Sequence, residues 1–243
     1  MVQAIEFSVV APVYNEAKAA AALAQEISRV LDGRSFELIF VDDGSQDDTR
    51  AELALLRGSL PALRLVAHRK NAGQSRAIRS GVLAARAPII ATLDGDGQND
   101  PADLPNLLRQ LTRPDAPPGL AMVAGLRVRR ADQPHKQYAS RWANGLRKRL
   151  LRDNADDTGC GTKVFQREAF LRLPYFDHMH RYLPALMLRE GYGVEFAAVG
   201  HRPRQHGRSK YTNYGRLRAS VRDILGVLWL NARARDPGGV DEL

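Results

Sequence analysis

The stretch FSVVAPVYNEAKAAAALAQEISRVLDGRSFELIFVDDGS, residues 7–45, holds two apolar runs with a helical pattern between them. FSVVAP (Phe7–Pro12) is continuously apolar, the pattern of a strand buried on both faces. Ala17–Leu31 is rich in alanine, sets Leu23, Ile27, Val30 and Leu31 at helical spacing, and stops at Asp32-Gly33. FELIFVDD then reads as a second strand. A strand, a helix and a strand at this spacing make a unit whose two strands run parallel.

The pattern repeats downstream. SQDD (Ser45–Asp48) reads as a capping box opening a helix over Asp47–Arg57. LRLVAH is a third strand followed by a helix over Gly73–Ala85, and Pro88–Leu93 a fourth strand followed by one over Pro101–Leu111. Four such units predict an α/β fold, a doubly wound and mostly parallel sheet flanked by helices. TRPDAPPG (Thr112–Gly119) is a loop before the strand AMVAG. Beyond it the chain turns basic, residues 167–200 read as helix, helix, strand, and HRPRQHGRSKY (His201–Tyr211) is a polar basic loop.

A chain of 243 residues that is 44% hydrophobic can bury one large core. Its formal net charge of +9 points to an acidic partner, with nucleic acid, anionic headgroups and phosphorylated small molecules all qualifying. The single cysteine, Cys160, excludes an internal disulfide framework and a cysteine zinc cluster and fits a reducing, cytosolic setting. MVQAIEFSVVAP runs straight into a strand, so no signal peptide is expected. No apolar run approaches the roughly 18 residues of a spanning helix, which predicts a soluble or peripheral protein.

Ligands of doubly wound sheets sit beyond the carboxyl ends of the strands. YNE (Tyr14–Glu16), DDGS (Asp42–Ser45), HRKN (His68–Asn71) and DGDGQ (Asp94–Gln98) all follow such an end, and four polar clusters at one rim make a site. Asp94, Asp96 and Gln98 alternate oxygen donors along one loop, as a hard cation such as Mg²⁺ or Mn²⁺ requires. Gly95 and Gly97 permit close approach and positive φ. A calcium loop would need Glu where Pro105 stands, so that reading fails. Asp100, before Pro101, reads as the N-cap of the next helix.

Taken together and in order, VVAPVYNE, VDDGSQDDT, DGDGQ and RQHGRSKY resemble the inverting family-2 glycosyltransferases of GT-A fold, nearest the dolichyl- and polyprenyl-phosphate sugar transferases of the dolichol-phosphate mannose synthase type. The resemblance runs from Phe7 to Tyr211. It implies that Pro12, Tyr14, Glu16 and Asp43, with Asp42 beside them, bind the base and ribose of a GDP- or UDP-linked sugar. It implies that Asp94, Asp96 and Gln98 hold Mg²⁺ or Mn²⁺ on the donor diphosphate. Arg127, Lys136 and Ser140 match positions that grip an acceptor phosphate, with a point charge at Lys136 where relatives often carry the fork of an arginine. Arg204, Ser209 and Lys210 match a loop that closes over the site. Asp96, Arg127, Arg204 and Lys210 are thereby the expected catalytic set. DTGCG (Asp157–Gly161) departs from the TSGF-like string of relatives.

The chemistry favours the same branch. Transfer to a hydroxyl needs a general base, whereas a phosphate acceptor arrives anionic and needs only cations to place it. The segment from RVRR to RKRLLR is expected to supply them. Asp156 and Asp157 are the carboxylates that could serve a hydroxyl acceptor. QYASRW is one residue too long for the QxxRW of processive relatives. Nucleic acid is set aside, since no recognition motif is present and an acidic rim repels phosphates.

These readings divide the chain into a GT-A domain over 1–211, with a nucleotide-sugar half at 1–111 and an acceptor half at 120–211, and an amphipathic C-terminal extension at 212–243. In that extension Trp229 and its flanking arginines Arg218, Arg222, Arg233 and Arg235 suit a membrane interface better than a core. The expected setting is the cytoplasmic face of a membrane, peripheral, with room for an integral-membrane partner. A non-catalytic sugar-nucleotide or nucleic-acid binding protein is the alternative of another class.

Overall fold

The computed structural model describes residues 4–127, 145, 147–203 and 213–235, with 213–220 by backbone alone. The first half runs through β1 (Phe7–Val13), α1 (Ala17–Val30), β2 (Phe36–Asp42), α2 (Thr49–Leu56), β3 (Leu63–Ala67), α3 (Gln74–Ala84) and β4 (Ile89–Thr92). A 3-10 turn (Pro101–Asp103) then leads into α4 (Leu104–Thr112) and β5 (Leu120–Arg127). After these come β6 (Lys163–Gln166), α5 (Arg167–Arg172), α6 (Leu183–Arg189), β7 (Gly193–Val199) and α7 (Asn213–Arg233).

The seven strands form one sheet in the order β3-β2-β1-β4-β6-β5-β7. Alternation along each strand feeds two cores. On β1, Phe7, Val9, Ala11 and Val13 pack with α1, α2 and α4 through Leu23, Ile27, Leu53, Leu104 and Leu108. Val10 faces the other way, into a cluster with Ile78 and Val82 of α3, Phe170 of α5, Leu186 of α6 and Val227 of α7. Each large side chain enclosed this way contributes roughly 1.5–3 kcal/mol.

The fold is the expected mostly parallel α/β sheet, with one departure. β6 runs antiparallel between β4 and β5, pairing Thr92 with Lys163 and Val123 with Val164. Its four residues, KVFQ, carry polar groups at both ends and no alternation long enough to read from sequence. The capping box is also corrected. α2 starts at Thr49, whose N–H and hydroxyl both donate to Asp47 Oδ1, while Ser45 Oγ accepts from the Asn15 N–H at 2.9 Å. Ser45 therefore ties two loops together and does not cap its own helix. Asp100 does cap: its Oδ1 accepts from the Ala102 N–H at 2.9 Å, with Pro101 at the first position. Among the described residues no helix is long and apolar enough to cross a membrane.

Strand order turns back between β1 and β4, since the chain fills β2 and β3 on one side before returning to the other. Loops leaving the carboxyl ends of these two strands enclose the crevice where such sheets take ligands.

Candidate active site

The loops after β1 and β2 are one unit. Asn15 takes a left-handed conformation (φ 51°), and its Oδ1 accepts from the Gln46 N–H at 2.7 Å. The Glu16 N–H donates to Thr49 Oγ1 at 2.9 Å. Pro12 is buried at the end of β1, and Tyr14 and Glu16 are partly buried on the loop that follows. The neighbouring acids are committed. Asp42 is fully enclosed, accepting from the Ser45 N–H at 3.0 Å and pairing with Arg50. Asp43 accepts from His68 Nδ1 at 2.6 Å and from the Ala72 and Gly73 N–H groups at 2.9 and 2.8 Å. It thus clamps the loop after β3 against the start of α3. His68 and Asn71, read only as part of a polar cluster, are its working partners; Asn71 Nδ2 donates to the Asp43 carbonyl at 3.1 Å.

The loop after β4 crosses directly over β1. A Cβ on Gly95 would lie 2.6 Å from the Pro12 carbonyl oxygen, so only glycine fits, while Gly97 supplies the positive φ of 75°. Asp94 points inward, where its Oδ1 accepts from Gln74 Nε2 at 2.7 Å. Asn99 Oδ1 accepts from the Asp94 N–H at 3.0 Å, and Asp96 Oδ1 from the Gln98 N–H at 3.1 Å. Burial, and next the charge of Asp96, push Asp94 up to about 6, against the pull of Lys163, Arg127 and Gln74. Two neighbouring carboxylates that repel one another, beside an amide oxygen, fit a hard divalent cation, whose charge removes the repulsion. Among the described residues no three His, Cys, Asp or Glu side chains form a closed metal cage.

Facing this loop is the segment 157–163. Arg127, at the end of β5, pairs in bidentate fashion with Asp157: Nε to Oδ2 at 2.5 Å and Nη2 to Oδ1 at 2.8 Å. Gly161 packs so closely that a Cβ there would lie 2.3 Å from the Asp94 carboxyl carbon. Lys163, opposite Thr92 across the β4–β6 ladder, is buried and donates to the Cys160 carbonyl. Burial pushes its pKa down, while Cys160, Asp94 and Asp157 pull the other way. Gln74, Thr92, Asp94, Gly161, Lys163 and His180 share one small cavity.

Gln74 and Lys163 were not singled out from the sequence, because nothing local marks them, and Gly161 stood out only as the end of DTGCG. The β4–β6 pairing alone brings β6 to the acidic loop. Two described cations of the basic segment are already paired. Arg147 is buried in an ion pair with Asp153 and also donates to the Ala155 carbonyl, and Lys148 pairs with Asp156 at 2.8 Å. Lys136, Ser140, Arg204, Ser209 and Lys210 lie outside the described residues. Arg202 is bound to the acidic loop: its N–H donates to the Gln98 carbonyl at 2.9 Å, and its guanidinium pairs with Asp100 and Glu26. Of the histidines, His178 bonds Asp223 and His180 bonds Ser75, while His206 lies outside the described residues. Cys160 is an enclosed thiol whose pKa burial raises, as a structural residue requires.

Comparisons with known proteins identify the fold and the family. Glucosyl-3-phosphoglycerate synthase from Mycobacterium tuberculosis, crystallised with Mn²⁺, UDP and glucosyl-3-phosphoglycerate, superposes with a TM-score of 0.70 at 21% identity, over 96% of this chain and 82% of its own. The same enzyme with Mg²⁺ and UDP gives 0.69. These likenesses establish the GT-A fold. Dodecaprenyl-phosphate galacturonate synthase of Rhizobium johnstonii is 33% identical over 98% of this chain and 70% of its own length. Undecaprenyl-phosphate 4-deoxy-4-formamido-L-arabinose transferase of Edwardsiella ictaluri is 31% identical over 84% of this chain, which spans 62% of that relative. The profile of glycosyl transferase family 2 matches residues 8–173, across both acidic loops and the segment that faces them, and the chain belongs to that family.

Proposed function

We propose that this chain transfers a sugar, with inversion, from a nucleotide-diphosphate sugar to a polyprenyl phosphate at the cytoplasmic face of a membrane. The observation that carries the acceptor class is the Arg127–Asp157 pair. A carboxylate held by both arms of a guanidinium is a poor general base, and its neighbour Asp156 is paired with Lys148. A hydroxyl acceptor would need such a base; a phosphate does not.

In this reading Pro12, Tyr14 and Glu16 line the nucleotide side, and Asp43 shapes that side through the loop it clamps. Asp94, Asp96 and Gln98 would hold Mg²⁺ or Mn²⁺, with the remaining positions left to phosphate oxygens. The ion, when bound, neutralises charge on the departing nucleoside diphosphate. Arg127, with Lys136 and Ser140, would place the acceptor phosphate, and Arg204, Ser209 and Lys210 would close over it. Residues 1–111 form the donor half and 120–211 the acceptor half. The relatives support the acceptor class by name, and the metal-bound synthase supports the cation.

Two measurements test this. A thermal-shift panel of UDP-, GDP- and dTDP-sugars with and without Mn²⁺ should show metal-dependent stabilisation by one donor, about 2.7 kcal/mol at a hundredfold excess over Kd. Sugar transfer should then appear on undecaprenyl or dolichyl phosphate. Turnover on a saccharide hydroxyl alone would replace the acceptor assignment. Donor binding that Asp96→Ala leaves untouched, in a chain that transfers sugar to neither acceptor, would return it to a binding role.

A further inference from the structure

Helix α7 has an anchored face and an unanchored one. Val227 is enclosed in the core, Ile224, Leu228 and Leu230 pack against the same cluster, and the Leu230 carbonyl accepts from Arg189 Nε at 3.2 Å. On the outer face Val221, Leu225 and Trp229 follow one another at intervals of four residues, exposed by 53%, 62% and 60%. At the helical rise they form an apolar line about 12 Å long.

Its borders are cationic. Arg222, Arg233 and Arg235 are exposed, and the Arg233 guanidinium lies over the Trp229 ring at 5.8 Å. Among residues 221–235 the one acid is Asp223, and it turns inward to His178 Nδ1 at 3.0 Å. An apolar line edged by arginines matches the surface of an anionic bilayer: alkyl groups and indole enter the headgroup boundary, and guanidinium groups meet lipid phosphates. A second copy of the same face would bring arginine against arginine, which opposes pairing.

The helix is also tied to the site. Asp223 holds His178, and Asp177 beside it has its Oδ1 3.3 Å from where a Gly73 Cβ would lie. Gly73 and the adjacent Gln74 in turn hold Asp43 and Asp94. A surface that seats α7 therefore sits a few side chains from the acidic loop.

We propose that Val221, Leu225 and Trp229 seat this chain on an anionic membrane surface, with the rim of the site beside the lipid headgroups. The purpose of this contact rests on the polyprenyl-phosphate reading; its existence does not. Sedimentation of the full chain with vesicles of phosphatidylcholine, with and without phosphatidylglycerol, measures it directly. The wild type should partition onto the anionic vesicles, less so in high salt, and Leu225→Glu/Trp229→Glu should weaken this by about tenfold or more. In a Trp142→Phe background, Trp229 emission should shift to the blue on binding. Unchanged far-ultraviolet circular dichroism in the variant would show that the fold is kept. Equal binding by the variant would overturn the proposal. So would a solution dimer that the variant dissociates, since the occupant would then be a second copy.

The variant should transfer sugar normally to a short, water-soluble prenyl phosphate, and about tenfold less to a long acceptor in vesicles. Vesicle binding by a wild type that glycosylates neither acceptor would sink the functional reading and leave the membrane face standing.

Discussion

A buried ammonium with one backbone acceptor is unfavourable in the free protein, and Lys163 is such a group. No carboxylate of the described residues forms an ion pair with it, although Asp94 and Asp157 lie near enough to favour its charge. Lys163→Met should therefore leave the thermal transition unchanged or raise it, while turnover falls roughly tenfold or more through misplacement of Asp94. Lys163→Arg should restore part of that loss, and a large drop in stability instead would mark a purely structural lysine. His180 is the complementary case. Burial, then Arg181, Lys163 and His178, hold its imidazole well below the usual histidine range. The unfolded chain takes up a proton near pH 6.5 that the folded chain refuses. Stability from this group is thus complete above that pH and declines as pH falls, by up to about 1.4 kcal/mol per pH unit. Urea melts at about pH 7.5 and about pH 5.5 should show a smaller decline in His180→Gln than in wild type.

At the scale of elements, the segment 157–163 joins the two charged halves of the site. Gly161→Ala would push the Asp94 carboxylate aside, and a displacement of that order costs roughly a hundredfold in turnover. Circular dichroism and donor-induced thermal shifts would separate this from unfolding. Asp157→Ala leaves Arg127 half-buried without its partner and should cost about 3 kcal/mol in a denaturant titration. Helices α1 to α4 and the first five strands were legible because they follow one another in a repeated strand-then-helix alternation. The start of α2 was not, because Ser45 and Thr49 bond the loop after β1, a partner some thirty residues away. The burial of Arg147 was not legible for a related reason. A run of charges looks solvated, yet Asp153 and the Ala155 carbonyl draw Arg147 inside.

At the scale of the molecule, both core clusters are built from the chain's own apolar side chains. Chelation of divalent ions should therefore leave the thermal transition of the free protein in place while abolishing stabilisation by the donor sugar. A transition that falls on adding EDTA alone would assign the ion a structural part. α7 completes the second cluster through Val227, so its described part from residue 221 is built into the domain on one side and faces outward on the other.

The amino-acid pattern alone determined the parallel half of the sheet, the rim on which the polar clusters gather and the acidic loop with its capped helix. These follow from local periodicity, glycine and proline, whose effects reach only a few residues. Tertiary structure decided which acids are spent on holding loops, that Asp94 faces a buried lysine, and that Arg127 is paired. Those outcomes depend on β6 entering antiparallel between β4 and β5, a pairing across some seventy residues that burial and backbone hydrogen bonding select and no short-range signal encodes.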